Sequence, residues 1–241
     1  MKASIMKKMI IASTSTIYGG EYLEYILPSL DEFFNEIDEI LFIPYARPGG
    51  ISYDDYTSLA KNAFSNIGIK VIGIHEFESP IKAVQNAQAI FTGGGNTFVL
   101  VNELHQKKIL PAMRLAVEKG TLYFGASAGS NITGLNMKTT NDMPIIYPPS
   151  FETLGLIPFN LNPHYLDPDP TSKHKGETRE TRIKEFHTYN DVPVIGLREG
   201  SWLEVSGNDI ILKGLLNARY FQKDKVPMEM EPGFNFTNGK I

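Results

Sequence analysis

The chain has 241 residues, enough for one large domain or two small ones, and its 42% hydrophobic content can build a sizeable core. The net charge is −4 and no basic block stands out, which argues against a nucleic-acid partner. The chain contains no cysteine, which excludes a disulfide framework, a thiolate nucleophile and a cysteine-ligated zinc, and fits a reducing cytoplasm.

Short apolar runs, rich in β-branched and aromatic residues, recur through the first half of the chain. The first covers residues 9–12, which is too short for the core of a signal peptide and is predicted to be a buried strand. No segment reaches the roughly 18 apolar residues of a membrane span, so no membrane association is expected. Four similar runs follow, at 39–46, 69–74, 89–94 and 121–127.

Segments with helical periodicity separate these runs. Apolar residues recur at intervals of three and four over 22–30, 59–64 and 99–110. Strands that alternate with helices predict parallel βαβ units, and continuously apolar strands indicate a sheet that is covered on both faces. The predicted fold class is therefore α/β, a three-layer sandwich with a mostly parallel sheet flanked by helices.

The last part of the chain has a different pattern. An irregular stretch rich in Pro, Asn and Asp covers about 135 to 175, and a helix is predicted over 176–190. Short strands broken by turns follow over 192–221, with a hairpin turn at 206–209. We expect these C-terminal strands to extend the sheet, partly in antiparallel fashion. Because no linker or internal repeat is visible, a single domain over residues 1–241 is predicted.

A G-x-S-x-G motif with Ser127 at its centre lies between a predicted strand and a plausible helix. A nucleophile on a sharp turn needs small neighbours, and Ser127 has only glycine and alanine on either side. The amide of Ala128 could then bind a developing oxyanion. A tight turn without chemistry explains the motif equally well, because G-x-S-x-G also occurs by chance.

Three glycines, at 93–95, end the preceding strand and allow the backbone to approach a ligand closely. Ligands bind at the carboxyl ends of parallel strands, so this loop and the Ser127 turn should meet. An amide of Gly94 or Gly95 would then be a second oxyanion donor. Asn96 is predicted to cap the helix that begins at Thr97. The rival interpretation, a phosphate cradle, lacks the spacing of the P-loop and of the dinucleotide-binding motif.

A serine nucleophile needs a base, and the chain has five histidines. His164 is favoured because it follows an apolar run and would lie just past the end of a strand. His174 lies in a polar loop that could be near a site. A surface or packing role is predicted for the remaining histidines, His75, His105 and His187.

Two carboxylates could orient this base. Asp142 gives the chain order Ser, Asp, His, whereas Glu199, just after another apolar strand, gives Ser, His, Glu. The residues alone do not separate these alternatives. Arg179 and Arg182 share one face of the late helix, where they could pair with neighbouring glutamates or hold a substrate carboxylate.

Six stretches of the chain stand out as a set: "AIFTGGGNTF", "YFGASAGSN", "TTNDMPI", "NPHYLDP", "HKGETRE" and "IGLREG". Together they resemble the S51 serine peptidase family, and in particular its peptidase E branch of α-aspartyl dipeptidases. As a set these motifs are highly specific, and the resemblance runs from about residue 43 to about 205. It implies a flavodoxin-like or class I glutamine-amidotransferase-like sandwich and a cytoplasmic enzyme that hydrolyses Asp-Xaa dipeptides. No cofactor and no metal are expected, and the protein would be a monomer or a homodimer.

The resemblance also assigns roles to individual residues. It implies that Ser127 is the nucleophile, that His164 is the base and that Glu199 is the acid behind it, although Asp142 has also been regarded as that acid. Arg179 would bind the aspartyl side chain of the substrate. Asn96 is also predicted to bind the substrate.

Two features depart from the family pattern. Ala126 stands where relatives often have a bulkier residue, and the loop after His164 differs in length and composition. A related branch, the cyanophycinases, cleaves β-aspartyl bonds, but "NDMPI" and "HKGETRE" favour the dipeptidase. An alternative of another class is a non-catalytic module of flavodoxin-like fold that binds an anion or a nucleotide.

Overall fold

The computed structural model describes residues 7–169, 171, 173 and 176–237. Within these residues, five parallel strands from the first half of the chain lie side by side, and most of their residues are buried. The five strands predicted from the sequence are thus confirmed. They are β1 (Lys8–Ala12), β2 (Glu39–Ile43), β3 (Lys70–Gly73), β4 (Ala89–Thr92) and β5 (Leu122–Ala126), in the spatial order β3-β2-β4-β5-β1.

Helices cover both faces of this sheet. Alternate residues of each strand point to opposite faces, so Ile10 packs with one set of helices and Ile11 with the other. The first face carries α1 (Leu27–Phe33) and α2 (Tyr53–Ser65). The second carries α3 (Pro80–Asn86), α4 (Thr97–Gln106), α5 (Leu110–Glu118) and the short α6 (Ala128–Asn131). The predicted three-layer α/β sandwich is confirmed.

The C-terminal strands divide between two sheets. A hairpin of β8 (Ser201–Ser206) and β9 (Asp209–Gly214) continues the main sheet antiparallel to β1, with its turn where the sequence predicts it. The C-terminal strands outside this hairpin do not extend the main sheet, so the prediction is wrong for them. The apolar strand β7 (Val194–Leu197) is instead buried in the interior of a second sheet. That four-stranded sheet has the order β11-β10-β7-β6 and consists of β6 (Asn160–Pro163), β7 (Val194–Leu197), β10 (Ala218–Phe221) and β11 (Met228–Met230).

The predicted late helix is α7 (Arg179–Tyr189), and it begins where the Thr178 hydroxyl accepts a hydrogen bond from the amide of Thr181. The irregular stretch before β6 contains one isolated bridge, between Asn136 and Glu152. Among the described residues, no helix combines the length and the apolar character that crossing a membrane requires.

Strand register brings three loops together. Thr92 of β4 lies opposite Gly125 of β5, so the glycine loop after β4 meets the Ser127 turn after β5. In the second sheet, Pro163 of β6 lies opposite Leu197 of β7. Because β6 and β7 are parallel, the residues that follow them leave the sheet at the same edge.

Candidate active site

Ser127 lies on a sharp turn between β5 and α6, with φ at 55° and ψ at −110°. A non-glycine residue in such a conformation is strained by about 1–3 kcal/mol, and strain of this kind concentrates at active sites. Space is tight as well. A Cβ on Gly125 would lie 2.5 Å from the carbonyl oxygen of Gly129, and a Cβ on Gly129 would lie 2.0 Å from that of Thr92. Glycine is therefore required at both flanking positions of the motif.

A continuous hydrogen-bond chain runs from this serine through a histidine to a carboxylate. Ser127 Oγ lies 2.8 Å from Nε2 of His164, and Nδ1 of His164 lies 2.6 Å from Oε1 of Glu199. When Nδ1 donates its proton to the carboxylate, Nε2 is left as an acceptor for the serine proton. The arrangement can therefore activate the hydroxyl as a nucleophile.

Ser13, which directly follows β1, forms hydrogen bonds at the ends of β6 and β7, the strands that precede His164 and Glu199. Its buried hydroxyl donates to the carbonyl of Leu197 at 2.6 Å and accepts from the amide of His164 at 2.9 Å. Its own amide donates to the carbonyl of Ser201 at 3.1 Å. Ser13 thus contacts the backbone two residues before and two residues after Glu199, and the backbone of His164 itself.

The glycine loop at residues 93–95 lies directly beside Ser127. A Cβ on Gly94 would be 2.9 Å from Cβ of Ser127, and a Cβ on Gly95, whose φ is 142°, would be 2.2 Å from the carbonyl oxygen of Ala46. The buried Tyr56 of α2 supports the loop by donating its hydroxyl to the carbonyl of Gly94 at 3.1 Å. Both residues therefore have the backbone freedom that an oxyanion donor needs, and Gly94 also lies close to Ser127.

The amides of this loop and of α6 are available to a ligand. Gly93 donates to Ile43 and Asn96 to Ala46, whereas no acceptor in the described part of the chain receives the amides of Gly94 or Gly95. Ala128 opens α6, so its amide has no acceptor within the helix. Ala128 follows Ser127 directly in the chain, and Gly94 lies beside Ser127 in space.

The structure places Glu199, and not Asp142, next to His164. Oδ2 of Asp142 accepts from the amide of Thr97 at 2.7 Å and from the hydroxyl of Thr140 at 3.0 Å, so this carboxylate sits at the N-terminus of α4. A negative charge there is favoured by the helix dipole. Of the two carboxylates that the sequence left open, Glu199 is the one that contacts His164.

The side chain of Asn96 forms hydrogen bonds within the protein. Its Oδ1 caps α4 by accepting from the amide of Val99 at 3.1 Å, as predicted, and its Nδ2 donates to the carbonyl of Met143 at 2.9 Å. It therefore ties the Asp142 segment to the glycine loop. Its side chain meets protein partners at both ends, which does not favour direct contact with a substrate.

Arg179 begins α7 and is half-buried. Burial and the neighbouring Arg182 lower the pKa of its guanidinium, whereas the charge of Asp142 raises it. The group stays protonated at neutral pH, and it forms no hydrogen bond or close ion pair with the described residues. Together with Arg182 and residues 166–169 it lines a cavity of about 430 Å³. An unpaired guanidinium in this position can bind a carboxylate in a bidentate manner.

The other described histidines lie apart from this site. His75 contacts Asp54, His105 contacts the carbonyl of Glu152, and the buried His187 contacts the carbonyl of Val192. His174 lies outside the described residues. Among the described side chains, no three His, Asp or Glu residues are grouped closely enough to hold a metal ion.

Comparison with known proteins places this chain in a family. The model of peptidase family S51 matches residues 9–213. The chain belongs to this family. Among its relatives, Peptidase E of Streptomyces coelicolor is 47% identical over 93% of this chain and 91% of that protein. A probable alpha-aspartyl dipeptidase of Drosophila melanogaster is 44% identical over 94% of both.

Solved structures support the fold of this S51 member. A peptidase from an acI-B1 actinobacterium superposes with a TM-score of 0.74 at 16% identity and covers 97% of this chain and 98% of its own. A putative peptidase E from Listeria monocytogenes gives a TM-score of 0.66 at 23% identity, over 87% of this chain and 99% of its own. At these identities the likeness concerns the fold alone.

Two residues at the S51 site were not found by sequence reasoning. Ser13 had a weak signal, since it is a small polar residue at the carboxyl end of a buried strand. Tyr56 had none, because an apolar position on an amphipathic helix predicts only packing. Its hydroxyl reaches Gly94 only once α2 is packed on the sheet.

Proposed function

We propose that this protein is a serine dipeptidase that hydrolyses dipeptides with an N-terminal aspartate. The observation that carries the proposal is the hydrogen-bond chain from Ser127 through His164 to Glu199. Relatives named Peptidase E and alpha-aspartyl dipeptidase over most of the chain support the choice of substrate.

In the proposed reaction, Ser127 Oγ attacks the peptide carbonyl carbon and its proton passes to Nε2 of His164. Glu199 holds the proton on Nδ1 and stabilises the imidazolium that forms. The amide of Ala128 and an amide of Gly94 or Gly95 hold the oxyanion of the tetrahedral intermediate. The imidazolium then protonates the leaving amine, and the bond to it breaks to give an acyl-enzyme.

Water completes the reaction in the second half. His164 removes a proton from the water molecule, which attacks the acyl-enzyme carbonyl under the same oxyanion donors. Collapse of the second tetrahedral intermediate returns the proton to Ser127 Oγ and releases aspartate. No group outside the described site is needed to balance these steps.

Substrate recognition would depend on charge. Arg179, which has no carboxylate partner in the described part of the chain, binds the aspartyl side chain. Asp142 lies near enough to Arg179 to influence its pKa and suits the substrate ammonium. An asparaginyl side chain in the same place would leave a half-buried guanidinium poorly paired, which discriminates more strongly than a lost apolar contact.

The test compares hydrolysis of Asp-Leu, Asn-Leu and Glu-Leu by the wild-type protein and by Ser127→Ala. We expect activity on Asp-Leu alone, with kcat lowered about 10³-fold or more in the variant, since only the oxyanion donors and substrate binding remain. Equal rates on Asp-Leu and Asn-Leu would contradict the role of Arg179. Full activity in the variant would exclude a serine mechanism.

A β-aspartyl dipeptide tests the cyanophycinase-like alternative in the same assay. Cleavage of the β-linked but not the α-linked dipeptide would favour that alternative. A non-catalytic anion-binding or nucleotide-binding module predicts no cleavage of either peptide and thermal stabilisation by nucleotides.

A further inference from the structure

Arg47 is an exposed arginine close to the glycine loop, and its charge has no partner among the described residues. Its guanidinium carbon lies 5.0 Å above the centre of the Tyr56 ring. Within residues 7–169, 171, 173 and 176–237, no carboxylate or other side chain forms a hydrogen bond or ion pair with it. A guanidinium that stacks on an aromatic ring keeps its edge N–H groups free for an anion.

The contacts around Arg47 connect it to the nucleophile. Tyr56, the ring beneath it, donates its hydroxyl to the carbonyl of Gly94 at 3.1 Å, and a Cβ on Gly94 would be 2.9 Å from that of Ser127. A backbone hydrogen bond also connects the segment of Arg47 to the glycine loop. The carbonyl of Ala46, the residue before Arg47, accepts from the amide of Asn96 at 2.7 Å. Arg47 therefore stands beside the loop proposed to hold the oxyanion.

Arg47 lies on the opposite side of the sheet from the groups proposed to bind the aspartyl residue. Tyr56 belongs to α2 and to the apolar cluster on the first face of the sheet. Asp142 is bonded to the N-terminus of α4, which packs on the second face, and Asp142 influences Arg179. A dipeptide held at Ser127 with its aspartate toward the second face directs its other residue toward the first face.

We propose that Arg47 binds the free C-terminal carboxylate of the dipeptide substrate. This inference rests on the proposed function and adds to it a reason for acting on dipeptides. Only in a dipeptide does the residue after the scissile bond end in a carboxylate. The guanidinium would pair with both oxygens of that group, and the Tyr56 ring would hold its plane in place.

The test compares Asp-Leu with Asp-Leu amide, in which the carboxylate is replaced by a neutral group of similar size. We expect the wild-type kcat/KM to be about tenfold to a hundredfold higher for the free acid, the range of a hydrogen-bonded charge pair. In Arg47→Gln the two substrates should be cleaved at similar rates, and Arg47→Lys should restore part of the difference.

Lys107→Gln is the matched control. This cation also lies over a tyrosine ring, 5.4 Å from the centre of Tyr45, but it pairs with Glu103 of α4 and should leave the substrate preference unchanged. Because Arg47 is exposed, its variants should keep the wild-type Tm.

Two results would overturn the inference alone: equal cleavage of acid and amide by the wild type, or a full preference retained in Arg47→Gln. In both cases Asp-Leu hydrolysis would continue and the proposed function would stand. If the wild type does not cleave Asp-Leu, the proposed function fails and the inference fails with it.

Discussion

Two residues of the proposed triad have unusual backbone conformations. Ser127 has φ at 55° and His164 has φ at 54°, although neither is glycine. Each such conformation costs about 1–3 kcal/mol and persists only where neighbouring contacts hold it. The amide of Ser127 donates a hydrogen bond to the carbonyl of Ala12, and the amide of His164 donates one to the hydroxyl of Ser13. The end of β1 thus stabilises both strained residues.

The two candidate acids are separated by charge-removing variants. Glu199→Gln should lower kcat about 10³-fold or more with little change in KM, since an amide cannot stabilise the imidazolium or fix its tautomer. Asp142→Asn should raise KM more than it lowers kcat, because this carboxylate lies at α4 and not at His164. Steady-state kinetics on Asp-Leu provides the measurement. A large loss of kcat in Asp142→Asn, with Glu199→Gln unaffected, would reverse the assignment.

Ser13→Ala tests whether the end of β1 positions the triad. The variant loses the bonds to Leu197 and to the amide of His164, so the imidazole should shift and kcat should fall about tenfold to a hundredfold with KM nearly constant. Thr153→Val removes another buried hydroxyl bonded to a carbonyl, that of Gly134, away from the site. Both variants should lose stability, but an equal loss of kcat in the two would show that Ser13 has only a structural role.

At the scale of elements, the glycine loop and α2 form one unit. Tyr56 fills the space beside Gly93, where a Cβ would lie 2.5 Å from its hydroxyl oxygen, and bonds the carbonyl of Gly94. The helix is anchored at its start by Ser52, which caps it. The position of the proposed oxyanion donors is therefore set by how α2 packs on the sheet.

Gly94→Ala should inactivate the protein without unfolding it. The added methyl would lie 2.9 Å from Cβ of Ser127 and would displace this serine. We expect kcat on Asp-Leu to fall about a hundredfold or more, with a wild-type circular dichroism spectrum. Gly68→Ala is a control for glycine replacement, because its Cβ would meet nothing within 4 Å, although its φ of 72° carries some strain. Unchanged kcat in Gly94→Ala would contradict the placement of this loop.

At the scale of the whole molecule, the site is assembled from two sheets. Ser127 leaves the seven-stranded sheet, whereas His164 and Glu199 leave the four-stranded one. Arg198, which precedes Glu199 in the chain, connects the segment after His164 to β11. It forms ion pairs with Asp167 at 2.7 Å and with Glu229 at 2.9 Å. Those bonds raise the pKa of Arg198 and lower the pKa of both carboxyl groups.

Acid should weaken this connection. A carboxyl group whose pKa is lower in the folded state stabilises the fold above its ordinary pKa of about 4, and this contribution is lost as the pH falls through the lowered folded value. Arg198→Met should therefore lower the free energy of unfolding at pH 7, and its difference from wild type should shrink below about pH 4. Since Asp167 and Glu229 are 54% and 37% exposed, about 1 kcal/mol or less per pair is expected.

Denaturant unfolding at pH 7 and pH 3 measures this difference. Lys70→Met removes an exposed pair with Glu39 at the sheet edge and should change stability little at either pH. A difference for Arg198→Met that stays constant between the two pH values would show that the ion pairs do not stabilise the molecule.

The sequence by itself determined the parallel strands, the helices between them and the glycine-flanked serine, because these depend on local periodicity and on steric demands at single residues. It also identified His164 as the favoured base. The tertiary structure alone decided that Glu199 contacts His164 while Asp142 lies at α4, that the late strands divide between two sheets, and that Ser13 and Tyr56 support the site. Those outcomes depend on contacts between residues far apart in the chain, such as Ser13 with Leu197, which is 184 positions away. Local sequence patterns carry no record of such contacts, since the partners meet only when the strands pack.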